Sequence, residues 1–197
     1  SDLYGRRPVF QFAIITFLIG SFLAGAAQNM GQLIAFRAIQ GLGAGGLMAL
    51  TFVIIGDLVS PRERGKYQGY FGAVWGLAAV AGPLLGGFFS DADTIFGIAG
   101  WRWIFYINLP FGILALILTS SSLKHANIRR EHSIDYLGAL LMVSSVTALL
   151  IGISVFGPEA GWLSSKTLAV IGLAIVLAVV FLMQELRAAE PILPLDL

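Results

Sequence analysis

Residues 167–186 read TLAVIGLAIVLAVVFLMQEL, and between 168 and 183 no side chain carries a charge, a hydroxyl or an amide. A helix that covers a water-soluble core keeps one polar face, whereas this run is apolar on every side and leaves no face for water. At a rise of 1.5 Å per residue, about 20 such residues cross the roughly 30 Å hydrocarbon core of a bilayer. Towards the N-terminus, five more runs of comparable length are bounded by charged or turn residues: 8–27, 32–56, 67–89, 103–122 and 136–156. None shows the period-two alternation of an outer-membrane strand. The predicted fold class is therefore all-α, a polytopic membrane protein with six transmembrane helices.

Composition agrees. Hydrophobic residues make up 57% of the chain and charged residues 12%, against roughly 45–50% and about 25% in a soluble domain. Mean hydropathy is +0.86, which excludes a disordered chain. The lack of cysteine excludes a disulfide scaffold and a thiolate metal site. A net charge of +1 supplies no clustered basic surface, so nucleic acid is not expected as a partner. The sequence opens at Ser1 on a polar run without an initiator Met or the apolar core of a signal peptide, which reads as a fragment of something longer. Up to Ser122 the runs are dense in glycine and carry Arg37, Asn108, Pro83 and Pro110. The last two runs are plain Leu, Ile, Val and Ala with a few hydroxyls, so 1–122 reads as a working bundle and 123–197 as a loop followed by two lipid-facing helices.

Orientation follows from Lys and Arg counted loop by loop. One side holds Arg6, Arg7, Arg62, Arg64, Lys66, Lys124, Arg129, Arg130 and Arg187, the other only Arg102 and Lys166. That bias places Ser1 and the C-terminus in the cytoplasm. Trp101, Trp103 and Trp162 then fall near the outer interface, where amphipathic indoles prefer to sit.

Arg37 belongs to neither side because it lies inside the second run. A charge within hydrocarbon costs from about 2.5 to more than 10 kcal/mol, so it needs a compensating environment. Gln40 follows at i+3 on the same helical face, and Gly41 comes next, which points to a wet cavity; snorkelling of the guanidinium to the head groups is the alternative. Gly72 and Gly76 have the spacing that lets helix backbones approach closely. In Gly82-Pro83-Leu-Leu-Gly86-Gly87 the proline removes one backbone hydrogen bond and predicts a kink, either a static packing feature or a hinge. No nucleophile with a base, and no set of carboxylates or imidazoles, lies at membrane depth, so catalysis is not expected. His125 and His132 lie seven apart in one loop and read as solvated, so no metal site is expected; Glu185 and Arg187 read as an interfacial pair.

Several of these stretches resemble motifs of the major facilitator superfamily. Asp2-Leu-Tyr-Gly5-Arg6-Arg7 resembles the end of the signature loop between its second and third helices, G-x-x-x-D-x-x-G-R-R/K, whose opening Gly would precede Ser1. Arg37-Ala-Ile-Gln40-Gly41-Leu-Gly43 resembles the fourth-helix motif, in which the Arg is associated with proton coupling. Gly82-Pro83-Leu-Leu-Gly86-Gly87 resembles the fifth-helix motif of antiporters, with Ala78 where that pattern often has another Gly. Trp101-Arg-Trp103-Ile-Phe-Tyr-Ile-Asn108-Leu-Pro110-Phe-Gly112 resembles the sixth-helix opening of the fourteen-helix drug:proton antiporters.

The resemblance implies that the six runs are helices three to eight: 1–122 would be part of an N-terminal bundle, and 123–197 a cytoplasmic loop plus two inserted linker helices. It implies a secondary active transporter of the plasma membrane that exports drugs or amphipathic small molecules in exchange for protons by alternating access. The proton gradient would be its energy source, with no cofactor, and the lipid bilayer, a small-molecule substrate and protons its partners. Arg37, Gln40 and Gly41 would form the proton-coupling cavity and Gly82, Pro83, Gly86 and Gly87 the antiporter kink. Asp2, Gly5, Arg6, Arg7, Asp57 and Arg64 would form the cytoplasmic gate, with Asp57 near Arg6 in a charge cluster. A proton-coupled uptake symporter, and a channel or structural bundle, are the rival readings. Substrate identity and oligomeric state are not encoded in these motifs.

The charge bias makes the segment 157–166 external. Cysteine placed at Ser164 should react with an impermeant thiol reagent added outside intact cells; reaction only after permeabilisation would reverse the orientation.

Overall fold

The structure, a computed structural model, describes residues 5–122 and 135–187, apart from the side chains of residues 57 and 58. Lys124, His125, Arg129, Arg130 and His132, named above, lie outside the described residues. The chain forms two compact units, Ser1–Arg130 and Glu131–Leu197. Among the described residues, six stretches are long and apolar enough to cross a membrane: Arg6–Ala26, Met30–Gly56, Arg64–Asp91, Gly100–Ser121, Tyr136–Ala160 and Ser165–Glu185. Each contains most of one predicted run.

The first unit is built from α1 (Arg6–Ala26), α2 (Met30–Leu58), α3 (Arg64–Asp91), α4 (Trp103–Tyr106) and α5 (Asn108–Ser122). Between α3 and α4 lie a small antiparallel hairpin, β1 (Thr94–Ile95) and β2 (Ile98–Ala99), and a 3₁₀ turn at Gly100–Arg102. The run 32–56 starts as a helix at Met30, earlier than its apolar residues suggest, because its cap lies upstream. Asn29 accepts the Gln32 N–H at 2.9 Å, and the Gln32 side-chain carbonyl accepts the Gln28 N–H at 2.9 Å. The first bond occupies a donor that the first turn of a helix leaves free, and the second ties the residue before the cap to that turn.

The run 103–122 is not one helix. α4 ends at Tyr106 and α5 begins at Asn108 because Pro110 offers no N–H to the Tyr106 carbonyl and its ring crowds that oxygen. By contrast α3 continues through Pro83. The Ala79 carbonyl there has no proline N–H to accept.

α1 packs along α2, and glycine sets the distance. A Cβ on Gly20 would lie 2.5 Å from the Gln40 Cα, and one on Gly43 2.6 Å from the Phe17 Cα. Neither fits without separating the helices. At Gly72 and Gly76, whose spacing predicted close approach, an added Cβ would meet no other element within 4 Å among the described residues. Nor would one at Gly41, Gly82, Gly86 or Gly87. Among the described residues, none of α3 is buried and most of its apolar surface is exposed. In lipid such a surface carries no water penalty, so helices are held together by close packing and hydrogen bonds.

The second unit is a helical pair, α6 (Tyr136–Ile151) and α8 (Ser165–Glu185), joined by a π segment at Gly152–Phe156 and the short α7 (Gly157–Ala160). Pro158 cannot donate to the Ser154 carbonyl, which accounts for the widened turn just before it. Asp135 caps α6 by accepting the Gly138 N–H at 2.8 Å, and Ser164 caps α8 by accepting the Thr167 N–H at 3.2 Å. Across the pair, the buried Ser145 hydroxyl donates to the Ala174 carbonyl at 2.9 Å. Glu185, read from sequence as interfacial, is 3% exposed and packed within this unit.

If Gly43 sets the α1–α2 spacing, Gly43→Val should lower the stability of the detergent-solubilised complete protein by roughly 1–3 kcal/mol, the usual penalty of overpacking. Gly45→Ala, on an open face, should leave the melting curve in place. Equal curves for the two variants would remove Gly43 from this role.

Candidate functional site

A chain of polar groups joins α1, α2, α4 and α5. Arg37 lies seven residues after the start of α2, roughly 10 Å along the axis at 1.5 Å per residue. Its Nη1 donates to the Gln40 side-chain carbonyl at 2.6 Å. The Gln40 Nε2 donates to the Ser21 hydroxyl at 2.9 Å. Ser21 in turn donates to the Phe105 carbonyl at 2.8 Å and accepts a second hydrogen bond from Asn108 Nδ2 at 3.1 Å. Asn108 also reaches the Ile104 carbonyl at 3.4 Å, where the break between α4 and α5 has disturbed the helical ladder.

The interior of this polar network is buried and its outer end is exposed. Ser21 is 0% and Gln40 3% exposed, whereas Arg37 is exposed. The Arg37 guanidinium lies 5.8 Å from the centre of the Phe105 ring, within cation–π range. A guanidinium has five donors, and among the described residues one is given to Gln40, so the arrangement anchors the cation from one side. Arg37 and Gln40 thus meet as their spacing predicts. Gly41 stands on an open face beside them. Ser21 and the Phe105 carbonyl were not singled out from sequence: a serine in an apolar helix commonly bonds its own preceding turn, so nothing in the sequence marks one that bonds a neighbour.

The antiporter-like stretch lies elsewhere in the fold. Pro83 is exposed on α3, and Gly82, Gly86 and Gly87 have open space where a Cβ would be. None of them joins the Arg37 network.

At the side predicted to be cytoplasmic, arginines close helix ends. Arg7 Nη2 donates to the Ser120 carbonyl at 2.7 Å, in the last turn of α5, and Gln11 donates to the Ser120 hydroxyl at 2.9 Å. Arg64 reaches back to the Gly56 carbonyl at 2.6 Å and the Val59 carbonyl at 3.4 Å, at the end of α2. At the opposite side Arg102 donates to the Gly25 carbonyl near the end of α1, its guanidinium 4.7 Å from the Trp101 ring centre. The final carbonyls of a helix lack intrahelical partners and carry its negative pole, so each guanidinium is matched in both hydrogen bonding and charge. Gly5 opens α1 at φ 85° and ψ 152°, a conformation that side-chain-bearing residues rarely adopt. Arg6 is the first residue of α1. Asp2 and the side chain of Asp57 lie outside the described residues, and so does the expected Asp57–Arg6 contact.

Residues 1–183 match the profile of the Major Facilitator Superfamily. The chain belongs to that superfamily. It is 45% identical over 196 residues to Multidrug resistance protein 3 of Bacillus subtilis, covering 98% of this chain and 36% of that protein. The Multidrug transporter protein MdtP of the same organism is 40% identical over 197 residues, covering 100% of this chain and 35% of its own length. Efflux pump FUS6 of Gibberella moniliformis is 37% identical over 205 residues, with 100% and 35% covered. The chain therefore spans 36% or less of each of these curated relatives. Membership makes it part of a multi-pass membrane protein, in agreement with the six apolar spans among the described residues.

The φ of Gly5 is the most sharply testable feature of the signature loop. Gly5→Ala should destabilise the entry to α1 by about 1 kcal/mol or more, because alanine is strained there. Melting of the purified complete protein measures this; an unchanged or raised midpoint would show that the loop tolerates a side chain.

Proposed function

We propose that the complete protein is a secondary active exporter of the plasma membrane that exchanges protons for a drug-like, amphipathic small molecule by alternating access, with Ser1 and the C-terminus of this chain cytoplasmic. The observation that carries this reading is Arg37: a cation within an apolar helix, held by Gln40 and otherwise exposed among the described residues. Such a charge favours the ionised form of any carboxylate brought near it, so its approach and withdrawal changes the proton affinity of that carboxylate. A conformational cycle that alternates the approach thereby loads and releases protons. The relatives whose names include multidrug resistance and efflux support the choice of cargo and direction.

The remaining elements take roles around that centre. The exposed surface of α3, with Pro83 and its flanking glycines, suits a helix that moves against neighbours supplied by the rest of the protein. Arg7 and Arg64, each bound to a helix end, serve the cytoplasmic gate. No cofactor is needed, since the proton gradient drives the exchange.

The test is transport by inverted membrane vesicles carrying the complete protein. Adding ethidium should discharge a preset proton gradient, and a protonophore should abolish ethidium uptake. Arg37→Lys keeps the charge but loses the planar fork, and should lower coupled uptake by roughly tenfold, the order of one charge-assisted hydrogen bond, at normal expression. Full activity in Arg37→Ala would leave the arginine a head-group anchor, and uptake that ignores the gradient would point to a channel.

A further inference from the structure

We infer that Ser21 is a positioning residue for Arg37, acting through the direction of its one hydroxyl proton; this rests on the reading of Arg37 as the coupling cation. A serine hydroxyl has one donor and can accept two hydrogen bonds. Here all three are used: the proton goes to the Phe105 carbonyl, and the oxygen accepts from Gln40 Nε2 and Asn108 Nδ2. The backbone carbonyl of Phe105 can only accept. That fixes the polarity of the hydroxyl, and with it the orientation of the Gln40 amide.

Gln40 has two ends of opposite character. With its NH₂ on Ser21, its carbonyl points to Arg37 Nη1 at 2.6 Å. A half-turn of the amide would set its carbonyl against a Ser21 oxygen whose proton is already committed, and its NH₂ against the guanidinium. Both contacts would be repulsive. Ser21 at 0% and Gln40 at 3% exposure leave no room for bulk water to replace the lost partners. Phe105 closes the circuit, because its carbonyl takes the Ser21 proton while its ring faces the Arg37 guanidinium at 5.8 Å. A shift of α4 would therefore alter the support of Arg37 in two ways at once.

The experiment measures ethidium uptake by inverted vesicles of the complete protein over a pH series. Ser21→Ala should lower coupled uptake roughly fivefold, the effect of one lost buried hydrogen bond, and move the pH profile in the same direction as Gln40→Ala. Added to Gln40→Ala, it should change nothing further, since the hydroxyl acts through that amide. Ser21→Cys, similar in size but a weak donor, should fall between wild type and Ser21→Ala, and serves as the reading if the alanine variant does not accumulate. A wild-type pH profile in the Ser21 variants, while Arg37→Lys shifts it, would overturn this inference and leave the exporter reading standing. Additive losses in the double variant would also overturn it. If Arg37→Lys leaves the profile unchanged as well, both readings fall.

Discussion

The approach of α1 to α2 at Gly20 is the constraint from which the rest of the first unit follows. Ser21 is the next residue, and its hydroxyl reaches Gln40 across the interface only because the backbones are as near as a hydrogen atom permits at Gly20 and Gly43. In lipid there is little gain from burying one apolar surface against another, so small residues and interhelical hydrogen bonds must supply the association. Here they are adjacent in sequence. The same step that brings the helices together also brings together the groups that hold a charge at membrane depth.

Much of this was readable beforehand. Length and apolarity gave all six spans, because a bilayer imposes one thickness on every helix that crosses it. Arg37 and Gln40 were visible as a pair because residues three apart share a helical face whatever the surroundings. Long-range choices were not visible. Gly72 and Gly76 carry the close-packing spacing, yet the close backbone contacts between α1 and α2 belong to Gly20 and Gly43, because spacing shows that a helix can be approached and says nothing about which neighbour arrives. Ser21 escaped notice for the same reason. The interruption at Ile107 and the π segment are local consequences of Pro110 and Pro158, but hydropathy averages over them.

The arginines show how one residue type serves two ends. Counted as charges, they predict the side of the membrane. Their side chains then close the ends of α5, α2 and α1 through Ser120, Gly56 and Gly25. A helix that ends at an interface leaves carbonyl groups where head groups and water compete for them, and a guanidinium from the next element satisfies them with a fixed geometry. Capping also ties each helix end to a second element, so sidedness and assembly are encoded by the same atoms in Arg7 and Arg102.

The π segment at Gly152–Phe156 affects how the fifth span is phased. A single π turn inserts one residue into the helical count, which rotates everything beyond it by about 100° relative to an uninterrupted α-helix. A helical wheel drawn straight through Tyr136–Ala160 would therefore assign Gly157 and its successors to the wrong azimuth. The Trp162 ring lies against Gly157 so closely that a Cβ there would come within 2.9 Å of it, nearer than van der Waals contact allows, so the residue at which the new phase begins has room for no side chain. Any map of which residues in this span meet lipid and which meet protein has to be drawn in two halves, with the origin reset at Phe156.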